Sequence, residues 1–286
     1  MRILIAGGSG YLGTELARQA AGAGHEVIGT YRSAPADVTG VGWRQLDVRR
    51  RDDVRALIRA TRPDVVLNAA YQYDDWDTTA AGAGYLAAAA EHAGAHLVHV
   101  SSDALFSGAA ASYPETARPD PVMPYGAAKA AAETAVQAVH PAATIARTSL
   151  ITGDGRSPYE QLVHDLAAGR RAGALFTDDI RCPVHVADLA SALLELADLG
   201  RAGMHHVAGP DAVSRAELGW LIARRDGLDP AALPTGTRAG LVAGPLAVRL
   251  DSRATQALLR TRLRGAREFL APAHADSSNP GVSPAR

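Results

Sequence analysis

Tyr125-Gly126-Ala127-Ala128-Lys129 places a phenol and an ammonium one turn apart on the same face, provided the segment is helical. A cation beside a phenol favours the phenolate and is expected to bring the tyrosine down from its reference pKa of about 10. Such a group can give a proton to a carbonyl oxygen or take one from an alcohol. The lysine is also singular: of the 29 basic residues it is the one that is not arginine. Where guanidinium serves every other cationic position, a retained compact ammonium invites a chemical reason, although chance retention accounts for a lone lysine equally well. Ser102, in His99-Val100-Ser101-Ser102-Asp103, is the candidate hydroxyl for the same substrate oxygen, with Ser101 turned toward the interior.

A second constellation is Gly7-Gly8-Ser9-Gly10-Tyr11-Leu12-Gly13, between an apolar run and a helical pattern. Glycines there let the backbone turn tightly and approach a pyrophosphate, while the helix N-terminus offers free N–H groups. The spacing reads either as Gly8-x-Gly10-x-x-Gly13 or as Gly7-x-x-Gly10-x-x-Gly13. By itself it would describe only a structural turn; its place between strand and helix points to a dinucleotide. The next strand ends in Tyr31-Arg32-Ser33, with Arg32 19 residues past Gly13. An acid at this point suits the ribose hydroxyl of NAD, and an arginine suits the 2'-phosphate of NADP, so NADP(H) is favoured over NAD(H). Asp47 could face the adenine or simply cap a turn.

The elements that must position these residues alternate. Strands are predicted at Arg2–Ala6, His25–Thr30, Pro63–Asn68, His96–Val100 and Ala143–Arg147. Helices are predicted at Tyr11–Ala23, Arg51–Thr61, Thr78–Ala93 and Tyr125–Val139. Strand–helix alternation with right-handed crossovers gives an α/β fold with a doubly wound parallel sheet. After Ser149 the rhythm loosens into helices at Pro158–Ala168, Val186–Leu196 and Ser214–Arg225, with short strands near Gly173–Phe176 and His205–Val207. The expected division is a nucleotide-binding domain over 1–150, rejoined by 184–200, and a smaller C-terminal substrate-binding lobe from 151–183 and 201–270. Residues 271–286, rich in Ala, Pro and Ser, read as a disordered tail.

Composition narrows the functional classes. With 286 residues, 47% hydrophobic and 21% charged, the chain can bury a large core, which excludes disorder as its main state. A net charge of -1 provides no bulk attraction to nucleic acid or anionic lipid, and no apolar run reaches membrane-spanning length. The one cysteine, Cys182, forms no intrachain disulfide, and no metal site is expected; a cytoplasmic setting fits best. Ala-rich helices at 78–93 and 125–139 would allow a homodimer or ordinary packing on the sheet.

Taken together these motifs resemble the extended short-chain dehydrogenase/reductase superfamily, with its Rossmann fold, and within it the dTDP-4-dehydrorhamnose reductase group. The likeness rests on Pro63–Ala70, Ser101–Gly108, Pro124–Lys129, Arg147–Ser149 and Arg181–Ala190. The resemblance implies that Tyr125 donates the proton, that Lys129 holds the nicotinamide ribose, and that Ser102 stands where threonine is usual. It implies a cofactor cleft formed by Gly7, Gly10, Tyr11, Leu12, Tyr31, Arg32, Ser33, Asp47, Val48, Ala69, Ala70, Tyr71, Tyr125 and Lys129. Asp103, Leu150 and Arg181 would meet the substrate, expected to be a nucleotide sugar. Ala104 and Leu150 replace a tyrosine and a tryptophan usual in the group, which leaves an altered substrate open, and the aromatic, acidic run Tyr71–Asp77 could shape the pocket instead. Asp103 is followed by Ala104 rather than the glutamate of related dehydratases, which favours net reduction of a ketone. A cofactor-binding regulatory subunit and a nucleotide-sugar epimerase are the alternatives.

Overall fold

Strands buried on both faces need apolar residues at successive positions, and the first run, Arg-Ile-Leu-Ile-Ala, has them. In the computed structural model, which describes residues 1–241 and 244–272, it forms β1 (Arg2–Ala6), an interior strand of a seven-stranded parallel sheet. The other strands are β2 (Glu26–Tyr31), β3 (Val41–Gln45), β4 (Val65–Asn68), β5 (His96–Ser102), β6 (Thr144–Thr148) and β7 (Gly203–His206). Their order is β7-β6-β5-β4-β1-β2-β3. Alternate residues of β1 feed two cores. Ile3 and Ile5 pack with α1 (Tyr11–Gly22) and α6 (Val186–Leu199). Leu4 and Ala6 pack with α2 (Arg51–Thr61), α3 (Gly82–Ala93) and α4 (Pro124–Val139). This is the doubly wound Rossmann arrangement.

Two strands depart from the sequence reading. Val41–Gln45 was not foreseen: it is the sheet edge, with Gly42, Arg44 and Gln45 exposed, so it has no continuous apolar run. Gly203–His206, placed by the sequence in the lobe, pairs with β6 from Gly203↔Thr144 to His206↔Arg147 and closes the other edge. Its histidines hide a sheet strand because His205 and His206 are buried through side-chain neighbours rather than through hydrophobicity.

The lobe has a third core, formed by Val163 and Leu166 of α5 (Pro158–Ala167), Leu218 and Ile222 of α7 (Arg215–Arg225), and Leu175 and Leu270. Two-residue strand pairs tie it together, among them Ile151–Thr152 with Val184–His185 and Leu175–Phe176 with Thr235–Gly236. Within the expected tail, residues 273–286 lie outside the described residues. No helix among the described residues is long and apolar enough to cross a membrane.

Candidate active site

β1 and β4 are neighbours, but their following connections diverge, which opens a crevice at the carboxyl ends of the strands. Two cavities lie there. One of about 200 Å³ covers the ends of β1 and β2; the other, about 670 Å³, runs from the glycine loop past Ser102 and Tyr125 into the lobe. Gly7 has φ +74°, and a Cβ on it would lie 2.8 Å from the Ala70 backbone, so the turns after β1 and β4 touch through a residue that must be glycine. Gly10 precedes α1 with no side-chain cap, and the first turn holds no acid. The helix N–H groups and positive dipole end are therefore free to receive an anion.

The smaller cavity is lined by Tyr31, Arg32, Asp47, Val48 and Ala70 as expected, while Ser33 is exposed outside both linings. Arg32 is exposed, and its guanidinium has no hydrogen-bond or ion-pair partner among the described residues. Asp47 is already clasped by Arg49, at 2.6 Å from Oδ2 to Nη2, and that hydrogen bonding pulls its pKa down to about 2. Ala69 and Tyr71 line both cavities, and Leu12 lines the larger. Tyr11 also lines the larger cavity; its hydroxyl donates to Asp154 Oδ1 at 2.6 Å.

Helix α4 brings the phenol to the serine. Pro124 starts the helix, where its missing N–H costs nothing. A Cβ on Gly126 would lie 2.1 Å from the Ala104 carbonyl oxygen, so the first turn of α4 presses directly onto the turn that follows β5. Deeper in α4, Glu133 holds Arg147 of β6 with two contacts, at 3.0 and 2.8 Å, both side chains being buried. This charge-assisted fork fixes the helix on the sheet. Arg147 was legible as part of a motif, but its anchoring role was not.

Ser102 caps the turn after β5 by accepting from the Ala104 N–H at 3.2 Å. Lys129 is 3% exposed, and its Nζ donates to the Val100 carbonyl at 3.0 Å. Burial lowers its pKa to about 8, with the Glu133 charge acting the other way. The amine lies 6.0 Å from the Tyr125 ring centroid. The phenol itself departs from expectation: its pKa is pushed up, first by burial and then by the neighbouring Tyr71 phenol, while the Ser102 hydroxyl beside it pulls it down. Desolvation outweighs the lysine, so Tyr125 keeps its proton at neutral pH. A tyrosine in that state is suited to donating a proton.

At the lobe end the expected substrate contacts are engaged with one another. Asp103 is buried and accepts from Ser149 Oγ at 2.6 Å, with Arg181 Nε 3.6 Å away. Burial raises its pKa. Arg181 pairs with Asp179 at 2.8 Å and donates to the Pro245 carbonyl at 2.9 Å. Both line the cavity, as does Leu150, which packs against the lobe core. Among the lining residues that the sequence reading missed are two arginines. Arg215 lies over the Tyr159 ring, with Cζ 5.1 Å from its centroid. Arg171 is exposed, its guanidinium unpaired among the described residues. In a chain with so many arginines, nothing local distinguished these two.

Comparison with known proteins gives a consistent picture. The family described as RmlD substrate binding domain matches residues 1–277. The dTDP-4-dehydrorhamnose reductase of Mycobacterium tuberculosis (strain CDC 1551 / Oshkosh) is 33% identical over 237 residues, covering 80% of this chain and 77% of the relative. A solved structure of a hypothetical dTDP-4-dehydrorhamnose reductase from Sulfolobus tokodaii superposes with a TM-score of 0.80 at 30% identity, covering 92% of this chain and 97% of that one. The NADP complex of dTDP-4-dehydrorhamnose reductase from Bacillus anthracis has a TM-score of 0.81 at 22% identity, covering 94% and 96%, and so shares the fold.

Proposed function

The chain belongs to the RmlD substrate binding domain family, and from that premise we propose that it is an NADPH-dependent reductase of a nucleotide-linked keto sugar, acting on the 4-keto group of a deoxysugar. The observation that carries this reading is the placing of Tyr125 and Ser102 on the wall of one cavity that begins at the glycine loop, with Lys129 one turn along α4 from the half-buried phenol.

The cleft fits the cofactor. Gly7 makes room for a close backbone approach, the uncapped start of α1 receives the pyrophosphate, and Arg32 is free for the 2'-phosphate. Lys129 would hold the nicotinamide ribose. Bound NADPH supplies the hydride for the carbonyl carbon. Ser102 and Tyr125 bind the carbonyl oxygen by hydrogen bonds, which favours the negative charge that develops there. Tyr125 then gives its proton to that oxygen and recovers one from solvent, so the ketone gains one hydride and one proton. Arg171 and Arg215 offer positive charge at the lobe end, where the substrate diphosphate would lie.

The test is a screen of nucleotide-linked 4-keto sugars, following NADPH absorbance, beside Tyr125→Phe. That variant is expected to lose about 10²- to 10⁴-fold in kcat while binding NADPH normally. An unimpaired rate would remove Tyr125 as the acid. Turnover without net NADPH consumption would indicate an epimerase instead. A cytoplasmic setting is part of the proposal, since the one cysteine, Cys182, is buried with its thiol pushed up to about 11 by burial. So is a homodimer through the Ala-rich α3 and α4; a monomer by light scattering would exclude it.

A further inference from the structure

Three phenols meet at the mouth of the large cavity. The Tyr73 ring lies nearly parallel to the Tyr125 ring, with centroids 4.7 Å apart and planes inclined by 20°, and the Tyr71 ring is tilted against Tyr125 at 6.1 Å. Tyr125 is half-buried, whereas Tyr73 remains 53% exposed although it lines the cavity. Proton donation by Tyr125 requires no stacked partner, so the proposed chemistry leaves this ring without a task.

The loop carrying Tyr73 is tied down on both sides of it. The Gln72 N–H donates to Thr79 Oγ1 at 3.0 Å, and that hydroxyl donates back to the Gln72 carbonyl at 2.7 Å. Asp75 accepts from both the N–H and the hydroxyl of Thr78, at 3.0 and 2.9 Å. The half-exposed ring is thus presented by a braced loop. Around Ser102 and Tyr125 the apolar part of the remaining wall is non-aromatic, with Ala104, Met123 and Leu150. A cyclic substrate that aims its carbonyl at Tyr125 therefore has aromatic faces on one side, those of Tyr71 and Tyr73, and Tyr73 is the one stacked on Tyr125. Tyrosine suits such a contact, because few torsions are lost and its ring covers a large apolar area.

We propose that Tyr73 is a specificity-determining residue whose ring packs against the apolar face of the substrate sugar, an inference that rests on the keto-sugar reductase reading. The ring would act on sugar binding and leave both the cofactor and the nucleotide part of the substrate unaffected.

The test compares wild type, Tyr73→Ala and Tyr73→Phe with NADPH and a dTDP-linked 4-keto-6-deoxyhexose, alongside calorimetric titration with NADPH and with dTDP alone. The expected result for Tyr73→Ala is a KM for the keto sugar raised about fivefold to tenfold, with kcat changed less than about threefold. Tyr73→Phe should restore KM, and both calorimetric affinities should remain at wild-type values. An unchanged KM in Tyr73→Ala, with active wild type, overturns this inference alone. So does a changed NADPH affinity, which would give the ring to the cofactor, or a weakened dTDP affinity, which would give it to the nucleotide. A wild type that turns over no keto sugar overturns the reductase reading and this inference together.

Discussion

The two ends of the large cavity are built by different means. At the cofactor end the walls are backbone and small side chains: Gly7 against Ala70, the bare start of α1, and Gly126 against the Ala104 carbonyl. At the lobe end they are long side chains tethered by charge. Asp179 alone lies 2.8 Å from Arg181, 2.9 Å from Arg238 and 3.5 Å from Arg215, which come from three separate segments. The first construction depends on glycines that bring separate backbone turns into van der Waals contact, which tolerates almost no change. The second depends on long charged side chains with several rotatable bonds and can rearrange around different ligands. The comparison teaches that fixed geometry and adaptable recognition have been given separate materials in one cavity.

The largest effect that would break this contrast is expected at Gly126. In Gly126→Ala the new methyl would stand 2.1 Å from a carbonyl oxygen that belongs to the turn carrying Ser102. Either α4 or that turn must shift. Overpacking of this kind costs about 1–3 kcal/mol, and misplacing a proton donor by about 1 Å costs about a hundredfold in rate. The variant should therefore melt at a lower temperature and lose about a hundredfold in kcat. Thermal melts and steady-state kinetics check both, and a variant with wild-type kcat would show that the cofactor end is as pliable as the lobe.

The same contrast decides what could be read from the sequence. The predicted helices that follow β1, β3 and β5 agree with α1, α2 and α4 to within a residue, because apolar periodicity and glycine or proline boundaries are local signals. The edges were harder: β3 is polar on alternate residues and β7 carries histidines, so their strand character comes from their neighbours. In the site, Ser102, Tyr125 and Lys129 were legible from type and spacing, and the structure brings them together. The direction of the Tyr125 shift was not, since it arises from burial and from phenols on a loop distant in sequence. Asp103 and Arg181 were legible as chemistry-bearing residues, but their pairing with Ser149 and Asp179 was invisible without tertiary structure.

A smaller effect sharpens the cofactor side. The Arg32 guanidinium has no hydrogen-bond or ion-pair partner among the described residues, and the nearby Asp47 is held by Arg49, so removing Arg32 orphans no carboxylate and should leave stability unchanged. A charged hydrogen bond to a phosphate on an exposed edge, partly screened by water, is worth about a tenfold change in affinity. Arg32→Ala is therefore expected to raise the Kd for NADPH about tenfold and to leave that for NADH unchanged, as fluorescence titration would show. Equal losses for both would place Arg32 elsewhere on the dinucleotide.

The smallest effect tests the lobe. Arg171 lines the cavity from an exposed position, in a turn where the neighbouring Arg170 is already paired with Asp165 at 2.8 Å. A flexible, solvated guanidinium gives up rotamer freedom to reach an anion, so its net contribution to binding is small. Arg171→Ala should weaken dTDP binding about threefold at low salt, with the difference vanishing as ionic strength rises through physiological values. NADPH affinity and melting temperature should not move. A loss that persists in high salt would mean that Arg171 is gripped as firmly as the backbone walls at the other end, and the division of labour between the two ends would then fail.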